Sequence, residues 1–156
     1  MTIVFLDFDG VLHPDPCRDH KRLFEHAPRL AAALAPFARV AVVLSTSWRT
    51  EHGAQALAAQ LPPTLRDQVV GSTRALHQID RRPALAAYRR QAECLDWIDR
   101  EQPGRRWFAL DDRPDQFEPY CDRLIATDGR RGLDETTLNR LCFLLAQAAH
   151  QDRAQS

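Results

Sequence analysis

Two aspartates one residue apart, Asp7 and Asp9, end an apolar run in the stretch I-V-F-L-D-F-D-G-V-L. In an extended chain alternate side chains share a face, so this spacing aims both carboxylates at one spot. Carboxylates that close repel unless something positive lies between them, and a hard cation such as Mg²⁺ meets that need with oxygen ligands. Gly10 permits a sharp turn directly afterwards. The plain alternative is a strand ending in a solvated D-x-D turn, and on these two residues alone the readings balance. Three further groups stand beside them. Ser45-Thr46-Ser47-Trp48-Arg49 follows the apolar V-A-V-V-L and offers hydroxyls and a guanidinium. Asp111-Asp112 follows R-W-F-A-L, and Arg89-Arg90 opens a helical stretch.

The surrounding chain has the pattern needed to gather these groups. Residues 3–6, 39–44, 69–70, 106–110 and 123–127 read as strands, the longer ones nearly continuous hydrophobics of the buried parallel kind. Helical segments alternate with them. Pro28 starts one, with Leu30, Leu34 and Phe37 on one face. Residues 51–61 form another, closed by Pro62-Pro63. Residues 84–100 carry Cys94, Leu95 and Ile98 at helical spacing, and residues 114–120 make a short helix. Asp134 caps the last helix, whose apolar face includes Leu138, Leu141, Cys142 and Leu145. Residues 13–26, with Pro14 and Pro16, form a loop or small flap near the carboxylates. Arg81, Arg82 and Pro83 lie in another loop. This alternation predicts an α/β fold: a three-layer, Rossmann-like domain with a mainly parallel five-stranded sheet. One domain spans residues 1–150, and residues 151–156 are expected to be a disordered tail. In such a sheet the polar strand tips collect at the carboxyl edge, where ligands bind.

Composition narrows the class. The 156 residues suit one domain with one real core. Hydrophobic residues are 44%, enough for folding rather than disorder. The formal net charge is zero, which argues against a wholly cationic nucleic-acid binder but not against a local basic patch. Lys21 is the only lysine, so nearly all positive charge is arginine, the better fork for phosphate. Cys17, Cys94, Cys121 and Cys142 are scattered without paired spacing and read as ordinary thiols of a reducing compartment. With no basic leader and no long apolar run, the expectation is a cytoplasmic protein without a membrane partner.

L-D-F-D-G-V-L, V-V-L-S-T-S-W-R and F-A-L-D-D-R, in that order, resemble the first, second and fourth motifs of the haloacid dehalogenase (HAD) superfamily of phosphohydrolases. The resemblance runs from residue 3 to about 145. It implies a Mg²⁺-dependent phosphatase. Asp7 would be the nucleophile that forms an aspartyl-phosphate, and Asp9 would protonate the leaving oxygen and then activate water. Mg²⁺ would be held by the Asp7 carboxylate, the Asp9 backbone carbonyl and Asp112, with Asp111 as close support. Thr46 is the first choice for the phosphate hydroxyl, Ser45 is its rival and Ser47 adds a contact. A simple strand-to-helix cap is the alternative for that cluster. The third motif is usually a lysine. Here no lysine stands near the expected place, and Arg90, or failing it Arg89, supplies the charge. Arg49 either reaches phosphate or covers the surface. Asp115 reads as a charge at a helix start rather than the second acid that some members place after the metal ligand, and His13 as a loop histidine rather than a contact to the leaving group.

Spacing bears on the substrate. Neither positions 10–45 nor positions 47–89 leave room for a full cap domain beside their helices and strands. The site is therefore expected to be open, as suits phosphates on large substrates. L-D-D-R and T-S-W-R are similar to HAD domains of polynucleotide and RNA repair enzymes, which implies a nucleotide or nucleic-acid end as partner. The alternative is a non-catalytic member that binds phosphate or a phosphorylated partner. The complete acid set counts against it. A phosphotransferase or mutase is less favoured without a cap to exclude water. Natural substrate and oligomeric state are not legible.

Overall fold

The opening strand lies at the middle of a five-stranded sheet. In the computed structural model, which describes residues 1–79 and 86–154, β1 (Thr2–Leu6) is flanked by β2 (Val40–Leu44) and β4 (Trp107–Asp111). The outer strands are β3 (Val69–Ser72) and β5 (Leu124–Ala126), giving the order β3-β2-β1-β4-β5. Every pairing is parallel. The chain builds outward from β1 to β3, then returns to the other side of β1, so a topological switch point falls between β1 and β4. Leu6 pairs with Leu44 on one side and with Leu110 on the other. One residue further on, Asp7, Ser45 and Asp111 stand abreast at the carboxyl edge.

Alternation along the strands divides the core between two faces. Val4, Leu6, Val42, Leu44, Phe108 and Leu110 face one side. They pack with helices α1 (Ala27–Leu34), α2 (Ala54–Ala58), α3 (Pro63–Arg66) and α5 (Glu135–Ala154). Ile3, Phe5, Ala41, Val43 and Ala109 face the other side and meet Cys94, Trp97 and Ile98 of α4 (Arg89–Glu101). Phe5 takes both Trp97 and Trp107 edge-on, with ring centroids 6.0 and 5.7 Å away. The expected three-layer α/β architecture is the one observed.

Several helix limits differ from the sequence reading. The segment expected as one helix over 51–61 is broken. A 3-10 turn spans Ser47–Thr50, and α2 begins only after Gly53, whose extended backbone stops any continuation. Pro63 does not merely close the segment. It sits in the first turn of α3, where its missing N–H costs nothing. α4 starts at Arg89 because Tyr88, with ψ 68°, is outside the helical region. The expected start at 84, and Arg81, Arg82 and Pro83, lie outside the described residues. Only Pro114–Gln116 of 114–120 is helical, as a single 3-10 turn. Asp134 does cap α5, accepting from Thr137 N and Oγ1 at 2.8 and 2.6 Å. The expected tail is helical through Ala154, and Asp152 lies 3.2 Å from the Met1 amine. Positions 155–156 are not described.

Candidate active site

Asp7 follows the last residue of β1, and its N–H donates to the Leu110 carbonyl at 3.1 Å, so β4 fixes its position. The residue is 3% exposed, and the Phe8 N–H donates to its Oδ1 at 2.8 Å. Asp111, the last residue of β4, is as deeply buried and accepts from the Arg113 N–H at 2.8 Å. Asp112 is half-buried. One carboxylate oxygen from each of Asp7, Asp111 and Asp112 lies within 4.8 Å of the others. Asp111, expected only as support, thus stands in the acidic group on equal terms with Asp112.

Burial and mutual repulsion govern the protons here. Burial, with the Asp111 charge next, pushes the Asp7 carboxyl well above the usual range. Burial pushes Asp111 up to about 6, against the pull of Arg90. Asp112 is raised as well, again mainly by burial. Three acids whose charged forms burial disfavours are a set that a divalent cation would relieve. Oxygen-only donors of this kind suit Mg²⁺.

Asp112 is confined more by shape than by bonds. Gly10, with φ +72°, passes so close that a Cβ there would collide with Asp112 Oδ2, and a Cβ at Gly129 would collide with the same oxygen. Gly10 thus serves for a turn and for a close approach. Thr127, the residue after β5, donates its hydroxyl to the Gly10 carbonyl at 2.6 Å and so anchors that turn.

Arg90 is the cation of the site. Its guanidinium is buried and donates to the Ser45 carbonyl at 2.8 Å. It lies 3.7 Å from Asp7, 3.8 Å from Asp111 and 3.8 Å from Glu93. Burial works against its charge, but these carboxylates outweigh it and raise its proton affinity. Arg89 is exposed. Arg49 neither covers the surface nor stands free. Its guanidinium pairs with the buried Glu93 at 2.7 Å and also donates to the Thr46 carbonyl. Glu93 escaped the sequence reading. Its helical position one turn after Arg90 was the available signal.

At the tip of β2, Thr46 and Ser45 are both buried and Ser47 is exposed. Thr46 Oγ1 accepts from the Trp48 N–H at 3.3 Å, the cap arrangement weighed as the alternative for this cluster. The Ser45 hydroxyl has no hydrogen-bond partner of ordinary geometry among the described residues. Ser47, Arg49, Arg89, Arg90, Glu93 and His77 line a cavity of about 360 Å³ beside these groups.

Asp9 stands apart from the acidic group. Its carboxylate, half-buried, accepts from His13 Nε2 at 2.9 Å and from the Trp48 indole Nε1–H at 2.9 Å. The His13 hydrogen bond, more than any other influence, pulls its proton affinity below the ordinary value. His13 is wholly buried, so it is not the plain loop histidine of the sequence reading. Asp115, by contrast, is exposed and held low, at about 2, by its pairing with Arg113.

The segment 13–26 holds only a 3-10 turn, His20–Arg22, and no cap domain. It is stitched down at both ends. The Asp15 N–H donates to the Gly129 carbonyl at 2.7 Å, and the His26 N–H to the Leu12 carbonyl at 2.9 Å. The four cysteines are free thiols. No helix among the described residues is long and apolar enough to cross a membrane.

Compared with known families, residues 3–138 match the model for the HAD domain in Swiss Army Knife RNA repair proteins. Neither the curated proteins nor the solved structures yield a match.

Proposed function

Because the chain belongs to the family of HAD domains found in Swiss Army Knife RNA repair proteins, we propose that it is a Mg²⁺-dependent phosphomonoester hydrolase acting through an aspartyl-phosphate. The observation that carries the reading is the meeting of Asp7, Asp111 and Asp112 within 4.8 Å, with Arg90 3.7 Å from the nucleophile. A phosphate dianion repels nucleophiles, and such a site supplies fixed positive charge where the phosphoryl group must sit. Mg²⁺ held by Asp7, Asp112 and Asp111, with the Asp9 carbonyl, would neutralise the acids and the phosphoryl oxygens together.

The residues divide the work. An Asp7 oxygen attacks phosphorus while the bond to the leaving oxygen breaks, and Asp9 gives that oxygen its proton. Water then attacks the phosphorus of the acyl phosphate and Asp9 takes its proton. The bond to Asp7 breaks, so Asp7 returns as a carboxylate and inorganic phosphate departs. Arg90 stays charged throughout, while Thr46 and Ser47 offer hydroxyls to the phosphoryl oxygens, with Ser45 the rival. The absence of a cap in residues 13–26 leaves room for a large substrate. Arg49, Arg89 and Arg90 line the neighbouring cavity. Together with the RNA repair proteins in which the family occurs, these features favour a nucleotide or nucleic-acid end as the bearer of the phosphate.

Purified protein is expected to hydrolyse p-nitrophenyl phosphate in Mg²⁺ and to lose that activity in EDTA. Asp7→Asn should abolish turnover with an unchanged circular dichroism spectrum; full activity in the variant overturns the assignment. A panel of nucleotides, 3′- and 5′-phosphorylated oligonucleotides, sugar phosphates and phosphopeptides then ranks substrates. Phosphate binding without turnover anywhere on the panel would mark a binding module instead.

A further inference from the structure

The most closely engineered contacts of the site surround the carboxylate that lies outside the acidic group. Asp9 Oδ1 accepts from His13 and Oδ2 accepts from Trp48, both at 2.9 Å. Neither donor is left to choose its geometry. The Phe24 N–H donates to His13 Nδ1 at 3.2 Å, so that nitrogen carries no proton and Nε2–H is the one that points at Asp9. Phe24 makes this bond from a left-handed backbone, φ 60°, costly for a bulky residue and kept only where its surroundings demand it. The Trp48 indole is held among the rings of Phe8, Phe24 and His13, with centroids 5.8, 5.5 and 5.9 Å away. The backbone N–H of Trp48 donates to Thr46 Oγ1, so one residue braces both the acid and the hydroxyl of the second strand tip.

We propose that His13 and Trp48 are the positioning residues of proton transfer in this site. They grip the Asp9 carboxylate by both oxygens and leave only its remaining lone pairs for the leaving oxygen and the attacking water. Each carboxylate oxygen has two acceptor directions. One on each is occupied, so the proton travels on a direction set by the clamp and not by side-chain rotation. This rests on the phosphatase reading but assigns two residues that it does not use. It also gives the segment 13–26 a purpose: it carries both His13 and the Phe24 amide that fixes the imidazole.

Leaving-group dependence separates positioning from mere structural support. A p-nitrophenolate departs without a proton, whereas an alkoxide needs one. Trp48→Phe keeps an aromatic ring among these neighbours and removes the donor together with the smaller ring that bears it. In Mg²⁺, kcat/KM, which reports only the steps through departure of the leaving group and not the later attack of water, is expected to fall on the order of tenfold or more for an alkyl phosphate monoester and by no more than about threefold for p-nitrophenyl phosphate. His13→Ala should show the same asymmetry, and His13→Gln, which restores an N–H donor, should recover part of it. Equal losses on both esters, or loss on neither, overturn the proposal. A readout free of turnover is the Trp48 indole N–H resonance, expected to move upfield and exchange faster in Asp9→Ala; an unmoved signal also refutes the clamp. If the natural protein hydrolyses neither ester, the phosphatase reading falls with it. If Asp7→Asn abolishes turnover yet Trp48→Phe is blind to the leaving group, only the clamp falls.

Discussion

Asp111→Asn removes one charge from the most crowded part of the site, and the structure sets the size and sign of the result. The folded state raises the Asp111 carboxyl to about 6, chiefly by burial. The ordinary value for an aspartate is 3.8. The folded protein therefore binds that proton more tightly than the unfolded chain. The stability it contributes is complete below about pH 4 and is lost as pH rises through about 6. Each pKa unit corresponds to about 1.4 kcal/mol, so the loss approaches 3 kcal/mol. Arg90 forfeits its Asp111 contact at 3.8 Å in the variant, which offsets part of the gain. Asparagine still accepts from the Arg113 amide. The expected result in EDTA at pH 7.5 is a variant more stable than the natural protein by about 1–3 kcal/mol, or roughly 2–10 °C in Tm for a chain of this size. Near pH 4 the difference should vanish. Mg²⁺ should raise the Tm of the natural protein at pH 7.5 and raise that of the variant far less. Thermal melts at the two pH values, with and without Mg²⁺, supply all four numbers. A variant equally destabilised at both pH values would refute the reasoning, because burial of charge would then not be the dominant cost.

Two other perturbations follow from the packing. Gly129→Ala forces a Cβ into Asp112 Oδ2, so Mg²⁺ titrations followed by turnover or calorimetry should show affinity at least on the order of tenfold weaker, the size of loss seen when a ligand's support is disturbed. Arg90→Ala leaves Asp7, Asp111 and Glu93 without their shared cation. Urea unfolding should show a loss of about 3 kcal/mol or more, whereas Arg89→Ala, at an exposed position, should stay within about 0.5 kcal/mol.

What the sequence made legible is what strand periodicity and strand tips can carry. All five strands, their parallel arrangement and the gathering of Asp7, Thr46 and Asp111-Asp112 at one edge follow from apolar runs that end in polar residues. The preference for Arg90 over Arg89 came from the helix face of Cys94 and Ile98, and the structure buries Arg90 and exposes Arg89. What escaped depends on where loops turn and where side chains point. Nothing in the order of residues says that Trp48 reaches back to Asp9, or that a left-handed Phe24 presents its amide to His13. Glu93 lay hidden because a glutamate in a helix ordinarily faces water, and its pairing with Arg49 and Arg90, together with the Leu76 N–H, permits burial. The break in 51–61 was missed because Gly53 and Pro63 each end one turn and permit the next.

The central place of β1 has a consequence for how the site comes into being. Its neighbours are residues 40–44 on one side and 107–111 on the other. When synthesis has passed β3, one edge of β1 still has no partner, and Asp7 faces water where Asp111 will stand. The unusual proton affinity of Asp7 owes its second-largest part to that missing neighbour. Asp7 thus begins as an ordinary aspartate on an open sheet edge and acquires its raised proton affinity only when β4 arrives. Contacts so distant in sequence fold slowly, and an unpaired apolar strand is the form most prone to aggregate. The interval between completion of β3 and docking of β4 is therefore when an apolar edge of this sheet is most open to the wrong partner.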